Sequence, residues 1–167
     1  MDGFAGGWDR ARVLEIMKDS RIGSFGAIAV ALMLMAKFSA LAQIASASGW
    51  RILACALVAA HASSRLAPTA LICALDYVRE DHSAKSRPLA RRLTPAELAA
   101  AAFFGLAPCL LLERPGVWLA IALSAAATLL CAIYMVRRIG GYTGDCLGAT
   151  QQVAELAFYA GLLCKFS

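Results

Sequence analysis

VWLAIALSAAATLLCAIYMV, residues 117–136, is a run of 20 residues without a charge. A helix rises about 1.5 Å per residue, so such a run reaches about 30 Å, the thickness of a bilayer's hydrocarbon core. It stands in a chain of 167 residues that is 60% hydrophobic and only 16% charged. An average soluble domain carries roughly 25% charged residues, so the solvent this chain is built for is lipid.

Outward from this run, a second apolar stretch covers residues 147–164, and three more cover approximately 25–48, 52–75 and 96–112. The 96–112 stretch is short, but backbone polar groups at that depth have to be satisfied within the segment, which selects a helix. Ahead of them lies GWDRARVLEIMKDSRIG, residues 7–23, where Val13, Leu14, Ile16 and Met17 offer an apolar side to a helix otherwise crowded with charge. Such a helix is expected to lie at the membrane surface. The fold class that follows is all-α: a polytopic membrane helix bundle of about five transmembrane helices plus an amino-terminal interfacial helix. It reads as one integral-membrane domain over 1–167, with 1–24 cytoplasmic or interfacial and 25–164 the bundle. No linker, low-complexity tract or repeat interrupts it.

Lysine and arginine accumulate on the cytoplasmic side of a membrane protein. Arg10, Arg12, Lys18 and Arg21 precede the first span, Arg79, Lys85, Arg87, Arg91 and Arg92 fall in the 76–95 loop, and Arg137 and Arg138 in the 137–146 loop. The opposite side holds Arg51, Arg114 and Lys165. This predicts a cytoplasmic amino terminus and a carboxyl terminus outside. Most of the acidic residues share the cytoplasmic face, and the net charge of +5 reflects its basic character. Two explanations stand: attraction to anionic lipid, and a bound polyphosphate. Nothing resembles a nucleic-acid module.

The six cysteines include no Cys-x-x-Cys pair and fall mostly in apolar spans, so they read as reduced core residues. His61 and His82 stand alone, which gives zinc little support. No serine nucleophile motif appears, and the start of the chain does not read as a secretory signal.

The polar connection GGYTGDCLGATQQ, residues 140–152, is where chemistry concentrates. Gly140, Gly141 and Gly144 permit positive φ and close approach to a ligand. A helix then begins near Asp145, and its free amides and partial positive charge suit a phosphate. Asp145 can hold a magnesium ion shared with those phosphates, or simply cap the helix. In the amino-terminal segment Glu15 and Asp19 are four apart, and like charges at that spacing repel unless something positive lies between them. Either a divalent cation or Arg12 answers that need. Lys37, Arg65 and Glu155 interrupt spans, and ionisable groups at such depths usually face a bundle interior or polar cavity. Arg65, one turn after His61, is a candidate phosphate partner; a Lys37 or Arg65 ion pair with Glu155 is the structural alternative.

Taken together, DGFAGGWDRARVLEIMKDSRIGSFG at 2–26, Lys37, Ser64-Arg65 and GGYTGDCLGATQQVAELAFYAGLL at 140–163 resemble the cobalamin synthase family, adenosylcobinamide-GDP ribazoletransferase. The resemblance implies an integral enzyme of the bacterial cell (inner) membrane, dependent on Mg2+, with its active face cytoplasmic. Its substrates would be adenosylcobinamide-GDP and α-ribazole or α-ribazole 5'-phosphate, and its products GMP and the completed corrinoid. The lipid bilayer would be its environment, nucleic acid would not be a partner, and a homo-oligomer or association with other cobalamin-assembly enzymes is compatible with it.

For such a transfer, chemistry rather than resemblance assigns the roles. Asp145, Asp19 and Glu15 are the catalytic candidates, and Asp145, Asp19 and Asp2 the metal candidates. Arg65, Lys37, Gly140, Gly141, Thr143 and Gly144 are the phosphate-binding candidates. Family members continue upstream of the position of Asp2 with a motif of the kind H-x-D-G-x-x-D, of which Asp2-Gly3 looks like the tail. The expectation is therefore a chain lacking the amino-terminal part of the family domain. Its alternative function is an inactive or split-enzyme membrane fragment that acts only with an upstream partner. A less favoured alternative, a CDP-alcohol phosphotransferase, would need Asp2-Gly3 to open D-G-x-x-A-R, but Gly6-Gly7 stands where the Ala-Arg pair belongs.

Overall fold

The structure, a computed structural model, describes residues 1–19, 21–78, 93–113 and 115–164. Among these residues it is helical throughout, with seven α-helices, one 3-10 turn and a single parallel bridge between Tyr77 and Tyr142. Most of the basic 76–95 loop lies outside the described residues, as do Arg114 and Lys165, so the charge count there has no structural counterpart.

Two short helices, α1 (Asp2–Gly6) and α2 (Arg10–Lys18), come first. One interfacial helix is the sequence expectation; Gly7, in extended conformation, and Asp9, which caps α2 by accepting from the Arg12 amide, divide it into two. The apolar side of α2 also finds protein. Val13 is fully buried, in a cluster with Leu71, Met135, Ile139 and Tyr142.

Helix α3 (Ser24–Ser64) contains one non-helical residue, Gly49, at φ 75° and ψ 172°. That region of backbone space is essentially restricted to glycine. Lys37 and His61, equidistant in sequence from Gly49, both reach the carboxylate of Glu155, at 2.8 and 3.3 Å. A straight helix would hold those two residues about 36 Å apart, so the chain doubles back at Gly49 into two antiparallel arms, 24–48 and 50–64. The 25–48 and 52–75 stretches of the sequence are these arms, the second continuing after a break at Arg65 into α4 (Leu66–Ala74). Small side chains, Ala40 on one arm and Ala56, Ala59 and Ala60 on the other, are buried in one core, as suits helices that approach closely in lipid.

Helix α5 (Pro95–Leu106) starts with a capping box, in which Thr94 accepts from the Glu97 amide and Glu97 accepts from the Thr94 amide. Pro108 follows, and the chain tightens into the 3-10 turn Ala107–Leu111. At about 1.5 and 2.0 Å per residue the two together reach about 28 Å. Helix α6 (Gly116–Ile139) ends on Gly140, at φ 81° and ψ 11°, a left-handed cap whose amide donates to the Val136 carbonyl. Helix α7 (Gly144–Leu163) is the one the others surround, burying Leu147, Thr150, Ala154, Glu155, Phe158 and Tyr159 among its residues. Gly161 of α7 lies against the backbone of Ala120, where a Cβ would collide.

Two helical stretches, Ser24–Ala74 and Gly116–Ile139, are long and apolar enough to cross a membrane. Their outward faces, and that of α5, carry Phe38, Phe103, Phe104 and Trp118 largely exposed. A surface of that kind suits lipid better than water. All six cysteines are free thiols; of the expected core residues Cys109 and Cys146 are buried, Cys55, Cys73 and Cys131 are partly buried, and Cys164 is exposed at the end of α7.

Candidate functional site

Polar structure gathers at one end of the bundle. There the amino-terminal helices, residues 76–78 and the 140–143 connection meet. Arg138 ties α6 to α1 by donating to the carbonyls of Phe4, at 3.0 Å, and Gly7, at 2.6 Å. The Tyr142 amide donates to the Asp76 carbonyl and the Val78 amide to the Tyr142 carbonyl, both at 3.0 Å. The rings of Tyr77 and Tyr142 meet edge to face. Burial raises the Tyr142 hydroxyl above the usual tyrosine range, with further contributions from Tyr77 and Asp76.

The glycines of the connection each answer a different need. Gly140 supplies the left-handed cap of α6. At Gly141 a Cβ would collide with the Asp76 carbonyl and the Val78 side chain, so its bare backbone admits the neighbouring loop rather than a ligand. Gly144 opens α7, and Thr143, buried, is that helix's cap: its hydroxyl accepts from the Cys146 amide. Asp145 is therefore not the cap. It stands exposed in the first turn, with no hydrogen-bond partner among the described residues.

Two cavities share Asp145. The first, of about 230 Å³, is lined among others by Asp2, Asp19, Arg21, Phe4, Met17 and Tyr134. The second, of about 440 Å³, is lined by Arg10, Leu14, Met17, Lys18 and Thr143. Three predicted metal candidates, Asp2, Asp19 and Asp145, thus border one space. They are not equally free. Asp2 accepts from the amides of Gly23, at 3.1 Å, and Gly26, at 2.8 Å, capping α3, whose own N-cap, Gly23, has no side chain to do so. Asp19 lies beyond the end of α2 in extended backbone, so its helical spacing from Glu15 dissolves. It accepts from the Arg21 amide at 3.0 Å and pairs with the Arg21 guanidinium at 2.8 Å. That arginine, first by its side-chain hydrogen bond, holds the Asp19 carboxyl below the usual aspartate range. Glu15 pairs with Arg12 at 2.8 Å and borders neither cavity.

Among the described residues, no group of three or more His, Cys, Asp or Glu converges as a ready-made cation site. Magnesium bound between protein and phosphate needs only one or two carboxylates. Asp145, exposed and without a partner, is the group that fits that demand.

Lys37 and Arg65 are placed away from these cavities. Lys37 pairs with the buried Glu155 at 2.8 Å and donates to Gln152 at 2.6 Å, while the Tyr159 hydroxyl donates to Glu155 at 3.1 Å. Arg65 sits exposed at the break between α3 and α4. The cations that line the second cavity with Asp145, Arg10 and Lys18, were legible in principle. With Leu14 they fall at four-residue intervals, one stripe of α2.

Residues 1–163 match the protein-family model described as Cobalamin-5-phosphate synthase. The chain belongs to this family. Among relatives of the cobalamin-5-phosphate synthase family, a Polaromonas sp. (strain JS666) protein named adenosylcobinamide-GDP ribazoletransferase is 43% identical, the match covering 96% of this chain and 63% of that protein. Proteins of the same name from Shewanella woodyi, 44% identical over 97% of this chain, and Leptospira interrogans, 38% identical over 99%, are similar at 63% and 64% of their own lengths. The chain thus spans less than two thirds of the curated relatives it matches. No solved structure matches it.

Proposed function

We propose that this chain carries the chemistry its relatives are named for: the adenosylcobinamide phosphate moiety of adenosylcobinamide-GDP passes to α-ribazole or α-ribazole 5'-phosphate, and GMP leaves. The observation that carries this reading is the position of Asp145, in the first turn of α7, on the shared border of an acid-lined and a cation-lined cavity. In the reaction, a hydroxyl oxygen of the acceptor bonds to the phosphorus that stays with cobinamide. The anhydride bond breaks, negative charge develops on departing GMP, and the acceptor hydroxyl gives up its proton to water or to the departing phosphate.

No protein nucleophile is required. The chain has to align two substrates and hold a diphosphate, and a cavity on either side of one carboxylate suits two substrates meeting there. Magnesium, when bound, supplies neutralisation of the diphosphate charge, and Asp145 is the residue suited to hold it. Asp19, with its carboxyl held down by Arg21, is a weaker base than an ordinary aspartate and serves better as a fixed charge on the cavity wall.

On this reading the two arms of α3, α5 with its 3-10 turn, α6 and α7 cross the bacterial inner membrane. The ends bearing α1, α2 and Asp145 face the cytoplasm. The exposed apolar faces of α3, α5 and α6 support those crossings, and Ser24–Ala74 and Gly116–Ile139 are long and apolar enough to make them.

The test is GMP release from adenosylcobinamide-GDP and α-ribazole by membranes containing the chain, with and without magnesium, beside Asp145→Ala. Magnesium-dependent release that disappears in Asp145→Ala is expected, and release indifferent to both overturns the reading. The greater length of the relatives favours a second reading, in which these 167 residues are one part of a catalytic unit completed by another segment. Release only on co-expression with the remaining part of a relative would select it.

A further inference from the structure

The described basic residues of the amino-terminal segment divide into two kinds. Arg12 and Arg21 are neutralised locally, each with a carboxylate at 2.8 Å, Glu15 and Asp19 respectively. Arg10 and Lys18 have no carboxylate partner among the described residues, and these are the two that border the larger cavity. Both project from the same side of α2, two helical turns apart. The Arg10 guanidinium lies over Gly140, where a Cβ would stand 3.5 Å from its Nη1. Opposite them are Thr143 and Asp145, the latter the one carboxylate among the described residues of this wall. Two unneutralised cations around a cavity of about 440 Å³ are a standing attraction for an anion.

We infer that this cavity is the diphosphate subsite of a nucleoside diphosphate-bearing substrate, with Arg10 and Lys18, rather than Lys37 or Arg65, as its phosphate-binding cations. The inference rests on the proposed reaction for the identity of the ligand, but its geometry stands apart from it. The acid-lined cavity beyond Asp145, bordered by Phe4, Met17 and Tyr134, then remains for the less charged acceptor. The phosphorus under attack lies at the wall between them. An anionic lipid headgroup offers the same phosphate chemistry as a free nucleotide, and the experiment has to separate these sources.

The full chain in nanodiscs of phosphatidylcholine, with magnesium, is titrated with GDP by equilibrium dialysis. Losing one charge-assisted contact is expected to weaken GDP about tenfold in Arg10→Gln or Lys18→Gln, and about a hundredfold in the double variant. Arg12→Gln, which removes the same charge from a paired position, should stay within about twofold, since a paired exposed arginine contributes little to a neighbouring site. Arg10→Lys should retain most of the affinity and so separates lost charge from lost folding. The proposal is overturned if the wild-type chain binds no GDP, if the double variant binds as well as wild type, or if Arg12→Gln weakens binding equally. It is also overturned if the effect of Arg10 and Lys18 emerges solely as attraction to nanodiscs containing anionic lipid. GMP release keeps the two readings apart. Release with an unchanged KM for adenosylcobinamide-GDP in the double variant removes the subsite and leaves the reaction. GDP binding that depends on both cations, in a chain that never releases GMP, removes the reaction and leaves the subsite.

Discussion

Substitution of Glu155 by glutamine tests whether Lys37 belongs to the bundle or to the substrate. The pair is nearly dry, the side chains of Lys37 and Glu155 being 14% and 3% exposed, with Nζ 2.8 Å from Oε2. At an effective dielectric of 20 that separation corresponds to about 6 kcal/mol of attraction, most of it offset by the cost of taking both charges out of water. Removing one partner strands the other, which typically costs about 3–5 kcal/mol. Glutamine keeps an acceptor for the Tyr159 hydroxyl, and Gln152 still accepts from Lys37 at 2.6 Å, so about 3 kcal/mol, the lower end, is expected for Glu155→Gln. Lys37→Met should cost a similar amount. The double variant Lys37→Met/Glu155→Leu should return to within about 1 kcal/mol of wild type, because no charge is left stranded. The assay is a double-mutant cycle of unfolding free energies in mixed lipid–detergent micelles, with GDP binding measured on the same samples. Glu155 lies about 15 Å along α7 from Asp145, so GDP affinity should not change. Strictly additive single effects, or Lys37→Met abolishing GDP binding in a chain of unchanged stability, would falsify the assignment.

Asp2→Ala removes two acceptors from the first turn of α3 and should cost about 1–2 kcal/mol, read as a lower midpoint of thermal unfolding in detergent. Gly49→Ala forces a side chain into a glycine-only backbone region and should cost about 1–3 kcal/mol, although open space surrounds the position; no loss would mean the turn does not hold φ 75°. Gly141→Ala drives a methyl into the Asp76 carbonyl, so the Tyr77–Tyr142 contact should open, seen as a changed near-ultraviolet tyrosine signal. The Asp19–Arg21 link has a depressed carboxyl, so its contribution is complete above the ordinary aspartate value and disappears as pH falls through the lowered one. Carbon-13 NMR of the Asp19 carboxyl should therefore show no titration between about pH 5 and 8, and a midpoint in that window would remove the link.

Much of the helical plan was open to a reader of the sequence, because a long apolar run that satisfies its own backbone polar groups has to be a helix. The stretches at 25–48, 52–75, 96–112, 117–136 and 147–164 each found a helical counterpart. What periodicity could not convey was that 25–48 and 52–75 fold against one another, since one glycine torsion decides it. The amino-terminal segment was legible as amphipathic but not in its destination: Val13 looks the same whether it meets lipid or Leu71 and Ile139. At the site, the 140–145 connection stood out by its polarity amid apolar runs, and Asp145 indeed borders both cavities. Asp2 and Asp19 border one of them as well, while Glu15, Lys37 and Arg65 stand apart. The interval from Glu15 to Asp19 carries meaning on a helix, and the helix stops at Lys18. Lys37 and Arg65 drew notice as charges in apolar surroundings, yet the partner of Lys37 is 118 residues away in the sequence, beyond the reach of any local pattern.

The reversal at Gly49 bears on how the protein is made. Between residues 41 and 60 the one charged side chain is Arg51, so on the proposed membrane reading the closed end of the hairpin would cross lipid with one arginine to carry. Lys37 enters that hairpin long before Glu155 has been synthesised, and spends the interval without its counter-ion. The arrival of α7 is what completes the bundle, so folding of the helical core waits on the same helix that delivers Asp145 to its cavities.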